Sequence, residues 1–442
     1  MSARAIYFDL FHRGTQTSES YVVSGSGPAS FADPCFPGRL DARGEYRWSV
    51  SDAAGCLVAS RGYSSLFAEW QSTVTNETDV REAEFRESHT VPWVPGGLFR
   101  IERRNPGGTH TQVFEQQLPA TLSERRDSGP RESGRQLTTL HGTGPVRVLL
   151  VSEGYAAEDG ERFSGDAERA RDVLLAASPF AEQAALLSIE ALFVPSSSAG
   201  IPKQPGEGVA GTNFATSYGI FGMTRYLVAM DLHALRRATD GIPWTTLIVL
   251  ANAADYGGSG VFHSNCCVAA GMAPEDLGYV LPHELGHSFA GLADEYFGKL
   301  ITYSLEMGPG WTPWEPNVSA LDATGRPTWS SRIEPGVPVP TPWNQAEYLR
   351  LTTHSTEGEQ PSNGISPSER KAQLTSAFSR EPYRHVVGAF EGARYQTHGL
   401  FRPELDCRMF SRAAARFCCV CNDTILEALR DAAAPSRAPA PE

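Results

Sequence analysis

The stretch Leu281 to Phe297, LPHELGHSFAGLADEYF, contains the residues of this chain that are best spaced to bind a metal ion. Two histidines, His283 and His287, are four positions apart. On an α-helix each residue advances by about 100°, so the two imidazoles lie roughly 40° apart around the axis and about 6 Å along it. Both rings can then reach one ion, and we predict that they are ligands of a catalytic Zn²⁺.

Glu284 follows the first histidine directly and is predicted to point towards the open side of the same ion. A carboxylate at this position can take a proton from water activated by the metal and return it to a leaving amine. We therefore predict that Glu284 is the general base, and then the general acid, of peptide hydrolysis.

A catalytic zinc needs a third protein ligand, and two arrangements are considered. A glutamate on a second, downstream helix would be Glu306 or Glu315, but the surrounding YSLEMGPGWTPWEPN contains prolines and glycines that disfavour a helix. In the second arrangement the active-site helix ends at Gly291 and the chain turns back. This arrangement predicts Asp294 as the third ligand, with the adjacent Glu295 as the alternative.

The string HELGHSFAGLADEY resembles the IgA-peptidase family of zinc metallopeptidases. It departs from the metzincin pattern H-E-x-x-H-x-x-G-x-x-H by one residue inserted before the glycine and by aspartate in place of the last histidine. Further matching segments are LLVSEGYAAEDGERF, ADYGGSG, GAFEGARYQTHGLFRPELDCRMF, FCCVC and, near the N-terminus, SRGYSSLFAEWQST. The resemblance covers nearly the whole chain outside residues 345–380, and it implies a zinc-dependent endopeptidase with a metzincin-like catalytic domain.

The resemblance also implies a methionine beneath the zinc, on a tight turn after the active-site helix. Met409, in DCRMF, matches this Met-turn, whereas Met307 follows the helix too closely. The oxyanion formed during hydrolysis needs a donor besides the metal, and Tyr395 and His398 are candidates for that role or for substrate contact. The alternative for both residues is a role in packing.

The glycine-rich sequence YGGSG before the motif has two interpretations. In the first, Gly257, Gly258 and Gly260 belong to an exposed edge strand that pairs with an extended substrate, which is a common way to bind peptides. In the second, the glycines mark a bulge. The sequence leaves both open.

Cysteines are concentrated near the C-terminus, where Cys407 precedes the C-x-x-C pair Cys418 and Cys421. A second zinc there would need a fourth ligand, which Cys419 could supply only awkwardly. We therefore predict a disulfide that links the Met-turn to the last helix, with the pairing left open. The even number of cysteines in the chain favours an exported protein.

Residues 1–120 contain short apolar or alternating runs between turn residues, among them AIYFDLF, EYRWSVSD, CLVASRGY and LFRIERR. These runs are typical of strands and predict a β-rich N-terminal domain of β-sandwich type. The polar residues 121–145, rich in Gly, Ser and Pro, predict a linker. Residues 434–442 predict a disordered tail.

Strand-like and helix-like segments alternate from Val146 onwards, as in VRVLLV, IEALFVP and TTLIVLAN with helical runs between them. Such alternation predicts an α/β or α+β catalytic domain over residues 146–433, built on a twisted, mainly parallel sheet that carries the active-site helix.

Composition and charge exclude other classes of protein. Of 442 residues, 41% are hydrophobic, which is typical of globular proteins, and the formal net charge of −13 argues against nucleic-acid binding. No apolar run is long enough to cross a membrane. The N-terminus shows no signal peptide. Because the cysteines favour export, we expect a secreted or cell-surface monomer whose targeting segment is missing here, with a cytoplasmic location as the alternative.

Two functions agree with these features. The first is a zinc-dependent endopeptidase that acts on protein substrates, including glycoproteins or immunoglobulin-like proteins. The second is a surface module that binds host glycans or proteins and in which the zinc domain is structural. The intact motif favours the first.

Overall fold

The computed structural model describes residues 5–35, 42–73, 81–122, 134–206, 211–298, 311–352 and 366–434. The strands in these ranges are β1 (Ala5–Gly14), β2 (Glu19–Ala29), β3 (Tyr46–Ser51), β4 (Leu57–Tyr63), β5 (Ala83–Pro92), β6 (Leu98–Arg104), β7 (His110–Gln117), β8 (Gln136–His141), β9 (Val146–Glu153), β10 (Leu187–Phe193), β11 (Thr246–Ala251), β12 (Gly258–Gly260), β13 (Cys266–Ala269), β14 (Phe390–Ala393) and β15 (Gln396–Arg402). The helices are α1 (Leu66–Ser72), α2 (Gly160–Ala176), α3 (Leu232–Thr239), α4 (Pro274–Ala290), α5 (Gln345–Thr352), α6 (Pro367–Ser379) and α7 (Cys419–Ala433). Glu306, Met307, residues 123–133 of the predicted linker and residues 435–442 of the predicted tail lie outside the described residues.

Two antiparallel sheets form the N-terminal part of the chain, with strand orders β2-β1-β5 and β4-β3-β6-β7. In β3 the buried residues alternate with half-buried ones, because successive side chains of a strand point to opposite faces. Trp48 from β3, Phe8 from β1 and Phe99 from β6 belong to one buried cluster, so the two sheets share a core. The four strands predicted in this region all form, and their grouping as a β-sandwich stays a prediction.

A six-stranded sheet with the order β12-β13-β11-β9-β10-β8 forms the centre of the second half. Its four inner strands pair in parallel, whereas the outer strands β8 and β12 are antiparallel to their neighbours. Every residue of β11 and nearly every residue of β9 is buried, which explains their continuous apolar sequences. The fold is therefore mixed α and β, and the mainly parallel sheet is confirmed.

Strand β8 corrects the predicted linker over residues 136–141. It pairs with β10 at the edge of the sheet, and most of its side chains are exposed. An exposed edge strand needs no apolar residues, so the sequence QLTTLH looks like a polar connection. The central sheet therefore begins before Val146.

Helix α4, which carries the H-E-x-x-H motif, runs from Pro274 to Ala290 and packs on β12 and β13. The predicted stop at Gly291 is confirmed: this residue has φ 66°, in the left-handed region, and its N–H donates to the carbonyl of His287 at 3.0 Å. A Cβ atom at Gly291 would also lie only 2.8 Å from the ring of Trp314. Both the conformation and the close packing require glycine here.

Pro282 lies inside α4 and has no N–H group to donate to the carbonyl of Gly278. The buried side chain of Arg408 supplies the missing donor, since its Nη1 lies 2.6 Å from that carbonyl oxygen. Its Nη2 donates to the carbonyl of Ala415 at 2.8 Å. Arg408 thus joins α4 to the segment that carries Met409.

A tight turn follows Arg402 and β15. The N–H groups of Phe410 and Ser411 donate to the carbonyl of Cys407 at 2.8 and 2.9 Å. The chain then enters α7, which packs against α4 and confirms the predicted C-terminal helix. Within the described ranges, no helix has the length and apolar character needed to cross a membrane.

Candidate metal centre

Three side chains predicted as ligands meet at the C-terminal end of α4. The Nε2 atoms of His283 and His287 are 3.2 Å apart. Oδ1 of Asp294 lies 3.1 Å from the first of these nitrogens and 3.3 Å from the second. The three donor atoms therefore form a nearly equilateral triangle among largely buried side chains.

The triangle fits a tetrahedral metal ion. With bonds of about 2.0–2.1 Å, donor atoms on tetrahedral zinc lie about 3.3 Å from one another. Oδ1 of Asp294 is buried and accepts no hydrogen bond in the described part of the chain. A buried carboxylate oxygen without a donor costs free energy, and a cation at the triangle would compensate it.

Hydrogen bonds at the Nδ1 atoms fix the tautomers of the two imidazoles. Nδ1 of His283 lies 3.0 Å from the carbonyl oxygen of Arg408, and Nδ1 of His287 lies 2.6 Å from that of Leu292. A carbonyl oxygen can only accept, so each Nδ1 carries a proton and donates it. In its neutral form, a ring held in this way directs the lone pair of Nε2 into the triangle, as a metal ligand must.

Without a metal, a proton on His287 can offset the negative charge of Asp294. Burial is the largest single effect and lowers the pKa of His287, but the interactions with Asp294, Glu284 and the Leu292 carbonyl together outweigh it and raise this pKa to about 9. A cation between these side chains would displace that proton, so metal binding is coupled to proton release.

Tyr395 lies behind the candidate third ligand. Its hydroxyl donates a hydrogen bond to Oδ2 of Asp294, and the neighbouring Arg394 donates its N–H to the carbonyl of Asp294 at 3.0 Å. The φ of Tyr395 is 66°, an uncommon value for a bulky residue, and the surrounding structure must hold it there. The structure thus brings Tyr395 to the ligand and not to the open side of the site.

The two glutamates considered as alternative ligands contact other groups. Oε1 of Glu295 accepts from Nδ2 of Asn317 at 3.0 Å and lies 3.2 Å from Sγ of Cys421. Glu315 accepts from Nε of Arg394 at 2.8 Å. Of the adjacent carboxylates Asp294 and Glu295, the first faces the two histidines and the second faces a group of cysteines.

Glu284 lies beside both histidines, and these three side chains can each bring a ligand atom within 4.8 Å of the others. Burial raises the pKa of Glu284 and the charge of Asp294 adds to the rise, while the histidines and Arg225 oppose it. The net rise brings the carboxyl closer to the pH at which a group can both accept and return a proton.

Arg225 is a residue that sequence reasoning missed. Its Nη2 donates to the hydroxyl of Tyr296 at 3.3 Å, and its guanidinium lies 5.8 Å from the centre of that ring. Its charge acts on Glu284 across the site. Arg225 belongs to an irregular segment with no motif, so no local pattern marks it.

Met409 is fully buried beneath α4. A Cβ atom built on Gly286 would lie 3.3 Å from its sulfur, which shows how closely the thioether approaches the helix. The carbonyl of Met409 accepts from the N–H of Glu295 at 2.8 Å. The tight turn at Cys407 and this packing place Met409 between α4 and the segment that carries Asp294.

His398 lies on β15 with 76% of its side chain exposed, 3.6 Å from Glu391. In the described part of the chain it has no recorded contact with the three candidate ligands. The geometry therefore lends no support to His398 as an oxyanion donor.

The glycines of YGGSG allow α4 to approach the sheet. A Cβ atom on Gly260 would lie 2.1 Å from the carbonyl oxygen of Glu284, and one on Gly258 would lie 2.8 Å from Val280. One on Gly257 would meet the ring of Tyr218 at 2.4 Å. The predicted edge strand is observed as β12, although Tyr226 already forms a bridge to it at Gly258. Pairing with substrate at this edge stays a prediction.

A cavity lies away from these residues, between the N-terminal sheets and α3. Its lining includes Trp48, Arg61, His89 and Arg236, and none of the candidate ligands. The spacing of donor atoms, and not the presence of this cavity, therefore locates the candidate metal centre.

Comparison with protein families gives a match to IgA Peptidase M64 over residues 137–429. This range is more than half of the chain and contains most of β8, the candidate metal centre, the turn at Met409 and most of α7. A search of curated proteins found no match. The matched family consists of metallopeptidases, which are hydrolases that act on proteins. The chain therefore belongs to the IgA peptidase M64 family of metallopeptidases.

Proposed function

We propose that this protein is a zinc-dependent endopeptidase in which His283, His287 and Asp294 bind the metal and Glu284 transfers protons. The observation that carries the proposal is the triangle of donor atoms at tetrahedral spacing, with the half-buried carboxyl of Glu284 beside it. Two neutral imidazoles and one carboxylate leave a fourth position open, which is typical of catalytic zinc sites. Zinc supplies polarisation of the scissile carbonyl and makes water nucleophilic at neutral pH.

Glu284 accepts a proton from the attacking water and donates it to the nitrogen of the leaving amine. Its raised pKa supports both steps. A carboxylate with a raised pKa is a stronger base towards the attacking water, and the carboxylic acid that it forms can still protonate an amine. The opposing charge of Arg225 keeps the carboxylate form accessible for the first step.

We propose a positioning role for Tyr395 and Met409. A tyrosine hydroxyl has one proton to donate, and that of Tyr395 is already engaged by Asp294, which leaves none for an oxyanion. Met409 packs against α4, and its carbonyl oxygen accepts a hydrogen bond from the N–H of Glu295, as expected for a Met-turn residue. Tyr395 thus fixes the orientation of Asp294, and Met409 fixes the position of α4.

The substrate class that we propose is protein, including glycoproteins or immunoglobulin-like proteins, cut outside the cell. Family membership supports a protein substrate. The narrower substrate classes and the extracellular location are hypotheses.

The decisive experiment compares wild type, Glu284→Ala and Glu275→Ala on a diverse mixture of unstructured peptides, with cleavage sites read by mass spectrometry. Glu275 is an exposed residue at the start of the same helix, so its variant is a matched control. We expect zinc in all three proteins, with cleavage by wild type and Glu275→Ala and a loss of at least about a hundredfold in Glu284→Ala. Full activity of zinc-loaded Glu284→Ala would refute the proton-transfer role. No cleavage by zinc-loaded wild type would favour the binding module instead.

A further inference from the structure

A second group of metal-type side chains lies behind the candidate catalytic centre. Glu295, Cys407, Cys418 and Cys421 each bring one ligand atom within 4.8 Å of the others. All four residues are fully buried. We propose that they bind a second, structural zinc ion that holds the third catalytic ligand and the Met409 turn in place.

The distances within this group agree with tetrahedral coordination. With Zn–S bonds of about 2.3 Å and Zn–O bonds of about 2.1 Å, two sulfurs lie about 3.8 Å apart and a sulfur and an oxygen about 3.6 Å apart. The sulfurs of Cys407 and Cys421 are 3.8 Å apart. Oε1 of Glu295 lies 3.6 Å from the sulfur of Cys418 and 3.2 Å from that of Cys421.

The same distances correct the disulfide predicted from the sequence. A disulfide brings two sulfurs to about 2.05 Å, whereas Cys407, Cys418 and Cys421 are free thiols. The prediction was wrong because it searched for the fourth ligand among neighbours such as Cys419. The fourth ligand is Glu295, which precedes Cys418 by 123 positions.

Backbone donors surround the sulfurs as they surround metal-bound thiolates. The N–H groups of Met409 and Cys418 donate to Sγ of Cys407 at 3.4 and 3.1 Å, and that of Cys421 donates to Sγ of Cys418 at 3.4 Å. Cys418 is also the N-cap of the 15-residue helix α7, where the helix dipole favours a thiolate. These donors favour negative charge on sulfur, and they oppose the burial that raises the pKa of the Cys418 thiol.

The remaining contacts fit a closed site for a cation. Oε2 of Glu295 is buried and has no hydrogen-bond partner in the described ranges. The buried guanidinium of Arg402 donates to the carbonyls of Gly392 and Leu405, at 2.7 and 3.1 Å, and offsets part of the negative charge that a divalent ion would leave. Three thiolates and one carboxylate fill all four positions of tetrahedral zinc, so this site is structural and not catalytic.

This site would join three segments at the catalytic centre. Glu295 follows Asp294 directly, and its N–H donates to the carbonyl of Met409 at 2.8 Å. Cys407 accepts the bonds that close the turn around Met409, and Cys418 begins α7. An ion held by all three segments fixes the position from which Asp294 reaches the two histidines.

The test measures metal content by mass spectrometry in wild type, in the double variant His283→Ala/His287→Ala, in Cys421→Ser and in Cys419→Ser. We expect about two zinc ions per chain in wild type, about one in the double variant, one or fewer in Cys421→Ser and about two in Cys419→Ser. Cys419 is the matched control, because its sulfur lies outside the group although it stands between two of the ligands.

Cobalt substitution identifies the ligands directly. With cobalt in place of zinc, the double variant and wild type should both show thiolate-to-cobalt charge-transfer absorption and the intense visible bands of a tetrahedral ion. If Cys421→Ser does not fold, this spectrum in chains with intact cysteines decides the question. No thiolate band, no metal in a folded double variant, or a disulfide within the group would overturn the proposal. Since the readout is metal on thiolates, that result would leave the peptidase proposal standing.

Discussion

Tyr395 holds one oxygen of Asp294 while the other oxygen faces His283 and His287. The hydroxyl of Tyr395 donates to Oδ2, and Oδ1 lies 3.1 Å from Nε2 of His283. The carboxylate is thereby oriented without losing its free acceptor. Such outer contacts set the angle at which a ligand approaches a metal.

We predict that Tyr395→Phe weakens zinc binding by about ten- to a hundredfold, because Asp294 loses the donor that orients it. Zinc affinity is measured by competition with a coloured chelator. Tyr383→Phe is the control, since no contact between Tyr383 and the three ligands is recorded in the described part of the chain. Unchanged affinity in Tyr395→Phe would show that the hydrogen bond does not position the ligand.

Gly291→Ala should destabilise the protein by about 1–3 kcal/mol, because φ is 66° and the new Cβ atom would lie 2.8 Å from Trp314. Denaturant unfolding gives the change in free energy. Gly165→Ala, inside α2, is the opposite control: a Cβ atom there meets nothing within 4 Å, and alanine favours a helix interior by up to about 1 kcal/mol. Equal effects at both positions would contradict the role of the left-handed turn.

Arg408→Met should cost about 1–3 kcal/mol, because the carbonyls of Gly278 and Ala415 lose their donor inside the protein. Arg412→Met is the comparison, since Arg412 forms an exposed ion pair with Asp276 that contributes at most about 1 kcal/mol. Thermal and denaturant unfolding of both variants measure the difference. A loss no larger for Arg408 than for Arg412 would mean that water replaces the guanidinium.

The stability of the N-terminal sheets should fall as pH rises above neutrality. His12 is buried between Glu87 and Glu19, at 2.7 and 3.0 Å. Burial alone lowers the pKa of His12, but the two carboxylates outweigh it and raise this pKa above 6.5. A raised histidine pKa contributes stability that is complete below the unfolded pKa of about 6.5 and is lost as pH rises through the folded pKa.

Denaturant unfolding between pH 6 and pH 9 tests this for wild type, His12→Gln and His398→Gln. We expect the decline in the free energy of unfolding to be smaller in His12→Gln and unchanged in His398→Gln, whose side chain is 76% exposed. A decline of equal slope in His12→Gln would assign the pH dependence to other groups.

Local spacing carried much of the prediction of the candidate site. His283, Glu284 and His287 share one helix, so the helical repeat alone brings them together. Gly291 marks the end of that helix by its conformational freedom, and the shortness of the following turn makes Asp294 the nearest carboxylate that can return. The inner strands of the central sheet were also predictable, because burial on both faces imposes apolar runs such as VRVLLV.

Only the tertiary structure brings together residues that are distant in sequence. It places Glu295 beside the cysteines and Asp294 beside the histidines, although the two carboxylates are neighbours in sequence and chemically alike. It uses Arg408 to replace the hydrogen bond that Pro282 cannot form. The sequence by itself determined the short-range geometry of the motif, because helix and turn depend on neighbouring residues. Long-range packing decided three features: the place of Glu295 among the cysteines, the contact of Tyr395 with Asp294 and the edge position of β8. No repeat or spacing in the sequence marks such packing.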